Sequence, residues 1–491
     1  MQKNIIYFTI VLAVIILSCC DETPPQRLPV IENFTLTPLS GEWHVGDKIT
    51  LSWTVKNADS VTIDNGIGSV PLNGTYLYTV ISPGAFNFTL TATNSAGTVD
   101  QVIPYSVAYV QIYELWEKWF YGLLDAEAHN LIQCSNGDYL IVGATKGYHE
   151  YDSDKRVMLI RVNSIGNTIW EKYYHRGDGC FGQSAAEMPD NSFIVAANNH
   201  YSNYPQNDYL FYLIQTSSAG DLFWEKNIGG YHWRTWDCMA AGDGNFMIAG
   251  ESSELTGNPG FRQLYLGEFS GSKPIWEKSY SVDGPAFSES SGRKLLKTSD
   301  GGFAALGTNR SEAQGKDIFL IKTDSSGKLE WQKTIGKTAP VNEDGKDFIE
   351  CDDGGFLIVG YTDEQNDGDI YVVKTDSAGN TEWEMTKGSK WQDTPSSVIK
   401  CSDGNYLIAW NTFEQPQYNN GKTSLNLLKT DSAGKILWQL NQDSKIDYGS
   451  VIAERIIETN DREYLILNSL ITSGCCPRTD RSIQLQKVRI Y

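Results

Sequence analysis

Histidines and aromatic residues that could contact a ligand are concentrated in one stretch of the chain. Five of the six histidines lie between residues 129 and 232. The candidate ligand-binding residues in and around this stretch are Tyr148, His149, His175, Tyr201, Tyr204, His232, Trp233 and Trp236. Aromatic rings on loops offer a large contact area with few torsions to freeze, which suits sugar rings or peptide side chains. We therefore expect a glycan or protein ligand, with packing of these rings inside their own loops as the alternative.

The sequence contains no motif for metal binding or covalent chemistry. No two histidines have the i, i+2 or i, i+4 spacing of a preformed metal site, and no nucleophile elbow, phosphate loop or H-E-x-x-H motif occurs. Acidic residues at the entries of predicted strands could still pair for glycoside hydrolysis. They include Asp125, Glu289, Asp344 and Asp393. We predict no catalytic residue, no metal and no cofactor, and keep a polysaccharide hydrolase or lyase as the alternative.

The overall charge argues against two classes of partner. The 491 residues include 60 Asp and Glu against 40 Lys and Arg, which gives a formal net charge of -20. Nucleic-acid binding depends on basic side chains that neutralise phosphates, and docking on anionic lipid headgroups depends on a basic patch. We expect neither, so that any membrane contact is made through a lipid anchor only.

The first residues predict that anchor. Lys3 precedes a short apolar core at residues 5–17, which is too short for a membrane span and typical of a secretory signal. The following Ile-Leu-Ser-Cys resembles the lipobox of bacterial lipoproteins, which implies a signal peptide at 1–18 and a lipidated Cys19. Residues 19–28 then form a polar, proline-bearing tether. We expect an outer-membrane lipoprotein of the cell envelope, and acids just after the cysteine resemble export signals of surface-exposed lipoproteins.

Residues 29–107 predict an all-β module. "ITLSWTV" at 49–55 and "FNFTLTA" at 86–92 alternate apolar and polar residues, and Asn-Gly and Pro-Gly turns separate such segments. The stretch resembles a bacterial immunoglobulin-like or PKD-type β-sandwich with Trp53 as its core anchor and no disulfide between its sheets.

From residue 109 to 491 the chain is repetitive, and the repeats predict a β-propeller. Tryptophans recur every 52 to 55 residues, at Trp116, Trp170, Trp224, Trp276, Trp331, Trp383 and Trp438. Each unit carries four short strand signals and two tight turns, which is the pattern of a propeller blade. The last unit has three strand signals but no outer strand with a tryptophan. Residues 111–120 have the pattern of such an outer strand, but the three strands that precede it in other units are missing there. We therefore predict an all-β chain with seven blades, closed by the N-terminal strand of the repeat region.

The D-x-x-G-x-x-x-W phrase of "TDSSGKLEW" at 323–331 resembles known propeller repeats. It is similar to the repeats of quinoprotein propellers, of the lipoprotein propeller in outer-membrane protein assembly and, most closely, of DGG-containing bacterial surface proteins and lipoproteins. The resemblance implies a propeller fold over residues 111–491. It also implies an alternative function, as a component of an outer-membrane protein assembly complex.

Strand order predicts which loops share a face of this propeller. Turns of the DGG and DSAG type lie on one face, and the long second-to-third loops and blade connections lie on the other, which we call the long-loop face. The candidate ligand-binding residues map to the long-loop face. Cys134, Cys351 and Cys401 occupy one repeat position and are predicted to be small buried residues, while a Cys180–Cys238 disulfide is left open. We expect a lipid-anchored binding or scaffolding protein.

Overall fold

The computed structural model describes most of the chain after residue 25. The described ranges are 26–37, 43, 48–80, 84–107, 110–121, 125–146, 155–177, 179–201, 208–230, 233–253, 262–282, 289–311, 315–337, 341–364, 368–414, 422–443, 449–473 and 479–490. The predicted signal peptide, Cys19, Tyr148, His149, Tyr204 and His232 lie outside these ranges. Within them, no helix has the length and hydropathy needed to cross a membrane. Two compact units separate between residues 109 and 110.

The first unit consists of two antiparallel sheets. Its described strands are β1 (Val30–Thr37), β2 (Lys48–Lys56), β3 (Ser60–Ile63), β4 (Gly68–Val70), β5 (Asn73–Thr79), β6 (Gly84–Asn94) and β7 (Gly97–Val107). The strand orders are β1-β2-β5 and β4-β3-β6-β7, and apolar side chains of both sheets share one core. Trp53 is buried in that core and its indole donates to the Pro71 carbonyl at 2.8 Å. The Arg27 carbonyl accepts from Asn94 at 2.7 Å, so the described end of the predicted tether is bound to this unit.

The second unit consists of four-stranded antiparallel sheets, and it confirms the all-β, propeller-like prediction. The first strands are β9 (Ala126–Gln133), β13 (Gly179–Glu187), β17 (Arg234–Gly242), β21 (Glu289–Lys297), β25 (Glu343–Glu350), β29 (Gln392–Lys400) and β33 (Gly449–Glu458). The second strands are β10 (Tyr139–Lys146), β14 (Phe193–Tyr201), β18 (Asn245–Ser252), β22 (Phe303–Ser311), β26 (Phe356–Thr362), β30 (Tyr406–Phe413) and β34 (Tyr464–Ser473).

The third strands are β11 (Lys155–Val162), β15 (Asp208–Thr216), β19 (Gln263–Ser270), β23 (Gly315–Thr323), β27 (Asp369–Thr375), β31 (Thr423–Thr430) and β35 (Thr479–Ile490). The outer strands are β8 (Ile112–Phe120), β12 (Thr168–Tyr174), β16 (Leu222–Ile228), β20 (Lys273–Tyr280), β24 (Leu329–Ile335), β28 (Thr381–Lys387) and β32 (Ile436–Asp443). Six sheets, numbered first to sixth from β9–β12 to β29–β32, are continuous in sequence. The remaining sheet, β33-β34-β35-β8, is called the closing sheet because its outer strand comes from the other end of the unit.

Contacts between first strands join these sheets in a closed cycle. Each first strand contacts that of the next sheet, and β33 of the closing sheet contacts β9 of the first sheet. In the closing sheet, β8 and β35 pair over Ile112–Phe120 and Ile483–Ile490. Separate apolar clusters fill the gaps between successive sheets. Burial between sheets is therefore what stabilises a unit whose single sheets have no core of their own.

The repeated tryptophans lie half-buried at the outer edge of these gaps, each on an outer strand. Five of them contact the glycine in the third-to-outer turn of the following sheet. The glycine–tryptophan pairs are Gly166 with Trp116, Gly220 with Trp170, Gly327 with Trp276, Gly379 with Trp331, and Gly434 with Trp383. Because the rings are only half-buried, each removes less apolar surface from water than a fully buried indole would. The two most repeated residues of the motif are thus two halves of one contact between neighbouring sheets.

Five cysteines in the described residues are buried thiols outside any disulfide, which answers the question left open for Cys180 and Cys238. Cys180 donates to the Arg176 carbonyl and belongs to the core between the first and second sheets. Cys238 belongs to the core between the second and third sheets. No Cys180–Cys238 disulfide forms, because the two thiols face different gaps. Cys134, Cys351 and Cys401 are buried small residues.

The contact between turn glycine and indole yields a prediction for Gly379→Ala. A Cβ at Gly379 would lie 2.7 Å from the Trp331 ring, and the backbone φ is +77°. We expect the free energy of unfolding to fall by about 2–4 kcal/mol, as the sum of positive-φ strain and overpacking. The matched control is Gly404→Ala, where φ is +82° and nothing lies within 4 Å of the added carbon. This variant should lose stability through backbone strain alone. Chemical denaturation followed by circular dichroism measures both, and equal losses would contradict the role of the indole.

Candidate functional site

A β-bulge in every first strand directs one side chain towards the axis of the unit. Each pairing of a first with a second strand has a one-residue register shift near the middle of the first strand, and the β17–β18 pairing has a second one at Ala241. The bulged residues are His129, Gln183, Trp236, Arg293, Lys346, Ser396 and Glu454, and all of them line one cavity of about 300 Å³. Bulges re-aim side chains in this way next to functional sites of many proteins. These residues, which we call the axial ring, differ in type in every sheet.

The residues that follow the bulges form a bonded layer beneath the axial ring. Asn130 donates to Ser184 at 2.9 Å, and Ser184 donates to Asp237 at 2.6 Å. The Lys294 ammonium lies 3.2 Å from the other oxygen of Asp237. This layer is a continuous polar network across four sheets, and it holds the first strands at a fixed spacing.

On the opposite side of the same layer, Asp347 is the central acceptor. It accepts from Ser397 at 3.1 Å and from Arg455 at 2.8 Å, across two sheets. Burial by itself raises the pKa of the Asp347 carboxyl, but the Arg455 and Lys294 cations more than offset this and leave its pKa below the ordinary value. Asp347 is therefore a permanent anion that binds the closing sheet to the fifth sheet, and it is not a proton donor.

A cleft rich in arginine continues from the axial ring towards the long-loop face. It has a volume of about 260 Å³ and shares Trp236 and Arg293 with the axial cavity. Five cations line it against two carboxylates, namely Arg234, Arg262, Arg293, Arg310 and Lys316 against Glu251 and Asp344. We call this set the arginine cleft. On a chain with a net charge of -20, an excess of cations in one cleft is a local reversal of sign.

Internal ion pairs neutralise only part of this charge. Arg262 lies 3.2 Å and Arg234 3.8 Å from the buried Glu251. Arg293 lies 2.9 Å from Asp344, which also accepts from the Thr308 hydroxyl.

The other two cations of the arginine cleft face each other. Arg310 and Lys316 are direct cross-strand partners of β22 and β23, and both are exposed. No carboxylate in the described part of the chain pairs with either side chain. Like charges directly opposite each other destabilise a sheet. An anion bound between them would remove that repulsion.

Aromatic rings extend the arginine cleft sideways along the second and third sheets. The Arg234 guanidinium lies 4.4 Å from the centre of the Tyr209 ring, and Tyr209 contacts His200 and Phe181 with ring centres 5.0 and 6.4 Å apart. The Arg293 guanidinium lies 5.1 Å from the Trp236 ring. Cation–π contacts of this kind hold guanidinium groups in place without neutralising them.

The predicted ligand-binding residues lie in different environments in the structure. Trp236 lies in the axial ring, half-buried. Trp233 is 5% exposed and packs on Phe211 and Tyr265, with ring centres 5.1 and 4.9 Å apart, so the expectation of an accessible Trp233 ring is wrong. His175 is exposed just after β12, and Tyr201 ends β14 with its side chain outside the described residues.

Apart from Trp236, neither the arginines nor the axial ring were predicted from the sequence. Arg234 lies in the third sheet, Arg293 and Arg310 lie in the fourth, and their proximity depends on strand pairing and on the packing of neighbouring sheets. Bulges leave no composition signal. The one usable signal is a repeat position that is polar in six units and Trp236 in the other, and never the same residue twice.

The acidic residues expected at strand entries do not form a catalytic pair in the described residues. Asp125 lies 2.8 Å from Lys146, Asp393 accepts from Trp410 and Thr412, and Asp344 binds Arg293 in the arginine cleft. The side chain of Glu289 lies outside the described residues. No group of three or more His, Cys, Asp or Glu side chains among the described residues is arranged to hold a metal ion.

Two buried carboxyls, Asp317 and Glu343, have raised pKa values. Burial raises the pKa of Asp317, and burial together with the nearby Asp317 and Asp363 raises that of Glu343. Glu343 is 0% exposed, one of its oxygens accepts from Thr362, and the other has no hydrogen-bond partner. Because the pair is enclosed between the fourth and fifth sheets, it does not face a substrate.

Comparisons with known proteins bear on the fold alone. No family model and no curated protein matches the chain. A protein of unknown function from Dyadobacter fermentans is 10% identical, with 77% of this chain and 99% of that chain covered and a TM-score of 0.45. A quinoprotein alcohol dehydrogenase-like protein from Bacteroides thetaiotaomicron is 10% identical, with 85% and 99% covered and a TM-score of 0.36. Neither match indicates a ligand or a function for this chain.

The different positions of the two neighbouring tryptophans yield a prediction. Trp233→Ala should lower the free energy of unfolding by about 3–5 kcal/mol, because it empties part of the core between the second and third sheets. Trp236→Ala should lower it by about 1 kcal/mol or less, because that ring lines a cavity. Chemical denaturation of both variants tests this, and similar losses would show that Trp236 is also a core residue.

The raised pKa of Glu343 yields a prediction about pH. An acid whose pKa is raised in the folded state contributes stability that is complete below its ordinary pKa and is lost as pH rises through the raised value. Glu343→Gln should therefore stabilise the protein at pH 8, by about 1 kcal/mol, because the orphan oxygen becomes a neutral amide.

Melting temperatures between pH 4 and pH 8 measure this difference, which should grow with pH. Asp300→Asn is a control of opposite sign, because its bond to Lys322 lowers the pKa of Asp300 to about 2. That variant should lose stability at pH 8. A Glu343→Gln variant less stable than the native chain at pH 8 would contradict the assignment.

Proposed function

We propose that the chain is a lipid-anchored binding protein of the bacterial cell envelope. In this proposal Cys19 carries the lipid in the outer membrane, and an immunoglobulin-like or PKD-type sandwich at 29–107 follows the tether. A seven-bladed β-propeller at 109–491 presents its long-loop face to a glycan or protein that bears anionic groups.

Several observations support the domain assignments in this proposal. The closed cycle of four-stranded sheets, with β8 paired to β35, is the arrangement that seven blades with a shared closing sheet require. The two sheets packed around Trp53 suit a sandwich. The lipobox residues before Cys19 support the anchor.

The observation that carries the proposed ligand is the excess of cations in the arginine cleft. Guanidinium groups bind carboxylate, phosphate and sulfate oxygens through paired N–H donors. Arg310 and Lys316 have no carboxylate partner in the described residues, and Arg293 and Trp236 each keep a buried N–H without an acceptor there. A ligand anion would complete these interactions.

Binding is favoured over catalysis by the state of the nearby acids. Glu251 and Asp344 each hold an arginine, and the pKa of Asp347 is lowered by cations. Glycoside hydrolysis requires one carboxylic acid that is protonated near neutral pH and accessible to the substrate. The acids of the arginine cleft instead position the guanidinium groups that would contact the ligand.

The proposal predicts loss of binding when the facing cations are removed. The combined variant Arg310→Ala, Lys316→Ala should bind an acidic glycan about tenfold or more weakly and with a smaller salt dependence. Its melting temperature should be unchanged or slightly higher, because two like charges no longer face each other. A glycan and protein array identifies the probe, with polygalacturonate, a neutral glucan and an acidic peptide as the starting set.

Lys435→Ala is the matched control, because Lys435 is an exposed cation in a third-to-outer turn, on the face opposite the long loops. It should leave binding unchanged. Equal binding of neutral and acidic glycans, or full binding by the combined variant, would overturn the assignment of the arginine cleft. Turnover of a glycan by the native chain would favour the hydrolase or lyase instead.

A further inference from the structure

One position of the third strand fills the gap to the preceding sheet with a large ring. In the second to fifth sheets it is occupied by Tyr212, Tyr265, Phe319 and Tyr371, all fully buried. The residues opposite them on the outer strands are small or polar, namely Asn227, Ser279, Thr334 and Thr386. In these four sheets the rule, which we call the repeat rule, is a ring on the third strand and a small or polar partner on the outer strand. The first sheet has Met158 opposite Tyr173 and the sixth has Asn426 opposite Asn441 instead.

The closing sheet inverts this rule. Gln484 occupies the third-strand position, and the residue opposite it on β8 is Trp119. Asn468 stands beside Gln484 on the second strand. In the second to fifth sheets that second-strand place is taken by Ala197, Gly250, Gly307 and Gly360. In the closing sheet the aromatic ring is therefore on the outer strand, and the amides of Gln484 and Asn468 face the gap instead.

The exchange leaves a cavity of about 250 Å³ between the sixth sheet and the closing sheet. Its wall on the closing sheet includes Trp119, Asn468, Gln484 and Gln486, and its wall on the sixth sheet includes Gln442. Trp119 is half-buried, so that part of its ring remains available.

Hydrogen bonds fix the orientation of the amide side chains in this cavity. Asn468 donates to the Gln484 carbonyl oxygen at 2.9 Å, and Gln484 donates to Glu117 at 2.8 Å. Gln486 donates to Glu114 at 2.9 Å. Glu117 stands where Glu225 accepts from the Tyr212 hydroxyl in the second sheet. A carboxylate accepts up to about four hydrogen bonds, so Glu117 retains acceptor capacity for a ligand.

This combination selects a ligand by its hydroxyl groups. Amides supply donors and acceptors side by side, the carboxylates of Glu114, Glu117 and Asp443 supply further acceptors, and an indole face supplies apolar contact for C–H groups. The cavity has no lysine, arginine or histidine in its wall, so it offers nothing to an anion. Its volume is below the about 300–1,000 Å³ of sites for drug-sized molecules.

We propose that the cavity between the sixth sheet and the closing sheet binds one uncharged sugar residue, with Trp119 against the ring and with Gln484, Gln486 and Glu117 on its hydroxyls. The site is separate from the arginine cleft and does not depend on the function proposed above. An amide at Gln484, where the second to fifth sheets place a ring, with Asn468 and Gln486 buried beside it, is a departure that packing alone does not favour.

The test uses the full chain, purified in a detergent without a sugar headgroup. The probes are glucose, galactose, mannose and N-acetylglucosamine, with putrescine and glucuronate as charged probes. Saturation-transfer NMR and tryptophan fluorescence report binding. At least one uncharged sugar should bind with a dissociation constant of about 1 mM or lower, and glucuronate should bind more weakly at this site.

The decisive variant restores the repeat rule, as Gln484→Tyr combined with Trp119→Thr. Its tyrosine hydroxyl can donate to Glu117, as Tyr212 does to Glu225, so the melting temperature should be equal or higher. Sugar binding should be lost. Gln442→Ala, on the opposite wall and half-buried, is a second variant that should weaken sugar binding about threefold to tenfold with an unchanged melting temperature.

Three results would overturn the proposal. These are no uncharged sugar bound by the native chain, binding of putrescine in preference to every sugar, or sugar binding retained by both variants. Arg310→Ala with Lys316→Ala should leave sugar binding at the cavity unchanged. Failure of this site and failure of the arginine cleft are therefore distinguishable.

Discussion

Pairing between β8 and β35 is the constraint on which the propeller-like unit depends. The two strands are separated by more than three hundred residues, yet they supply the hydrogen bonds that complete the closing sheet. Without β8, the edge of β35 and one side of the first sheet would face solvent. The entropy of closing so long a loop rises only slowly with its length, so the apolar clusters between sheets can offset it. The pairing is also highly non-local, which slows folding of such a unit.

The candidate sites lie where individual sheets depart from the repeat. The axial ring comes from bulges that every first strand shares, but its side chains differ from sheet to sheet. The arginine cleft needs three neighbouring sheets, because its cations come from the third sheet (β17 and Arg262 just before β19) and the fourth sheet (β21, β22 and β23), and Asp344 comes from β25 of the fifth. The cavity with Trp119 exists only where the chain closes. In each place a regular scaffold holds irregular residues, which is how function is usually carried on repeat folds.

Much of the fold could be predicted from the sequence, and much less of the sites. The tryptophan spacing and the turn glycines predicted four-stranded units, because a contact such as that of Trp331 with Gly379 requires both residues in each repeat. Trp233 was placed wrongly, because an aromatic residue in a loop and one that enters the core at the end of a loop look alike in sequence. Arg293 and Arg310 could not be brought together from the sequence, since their proximity follows from the position of a bulge and from strand pairing. The net charge of the chain is a sum over all residues, so it gave no indication of a local excess of cations.

The bulges of the first strands have a consequence for how such a protein diversifies. A bulged side chain leaves the alternation of the sheet, so its identity is largely uncoupled from the packing of the gaps on either side. Substitution at His129, Gln183 or Lys346 therefore changes the lining of the axis while the neighbouring core residues stay as they are. These few positions can therefore change one at a time during evolution while each intermediate sequence still folds. In such a scaffold, the residues that maintain the fold and the residues that determine ligand specificity are different and can evolve separately.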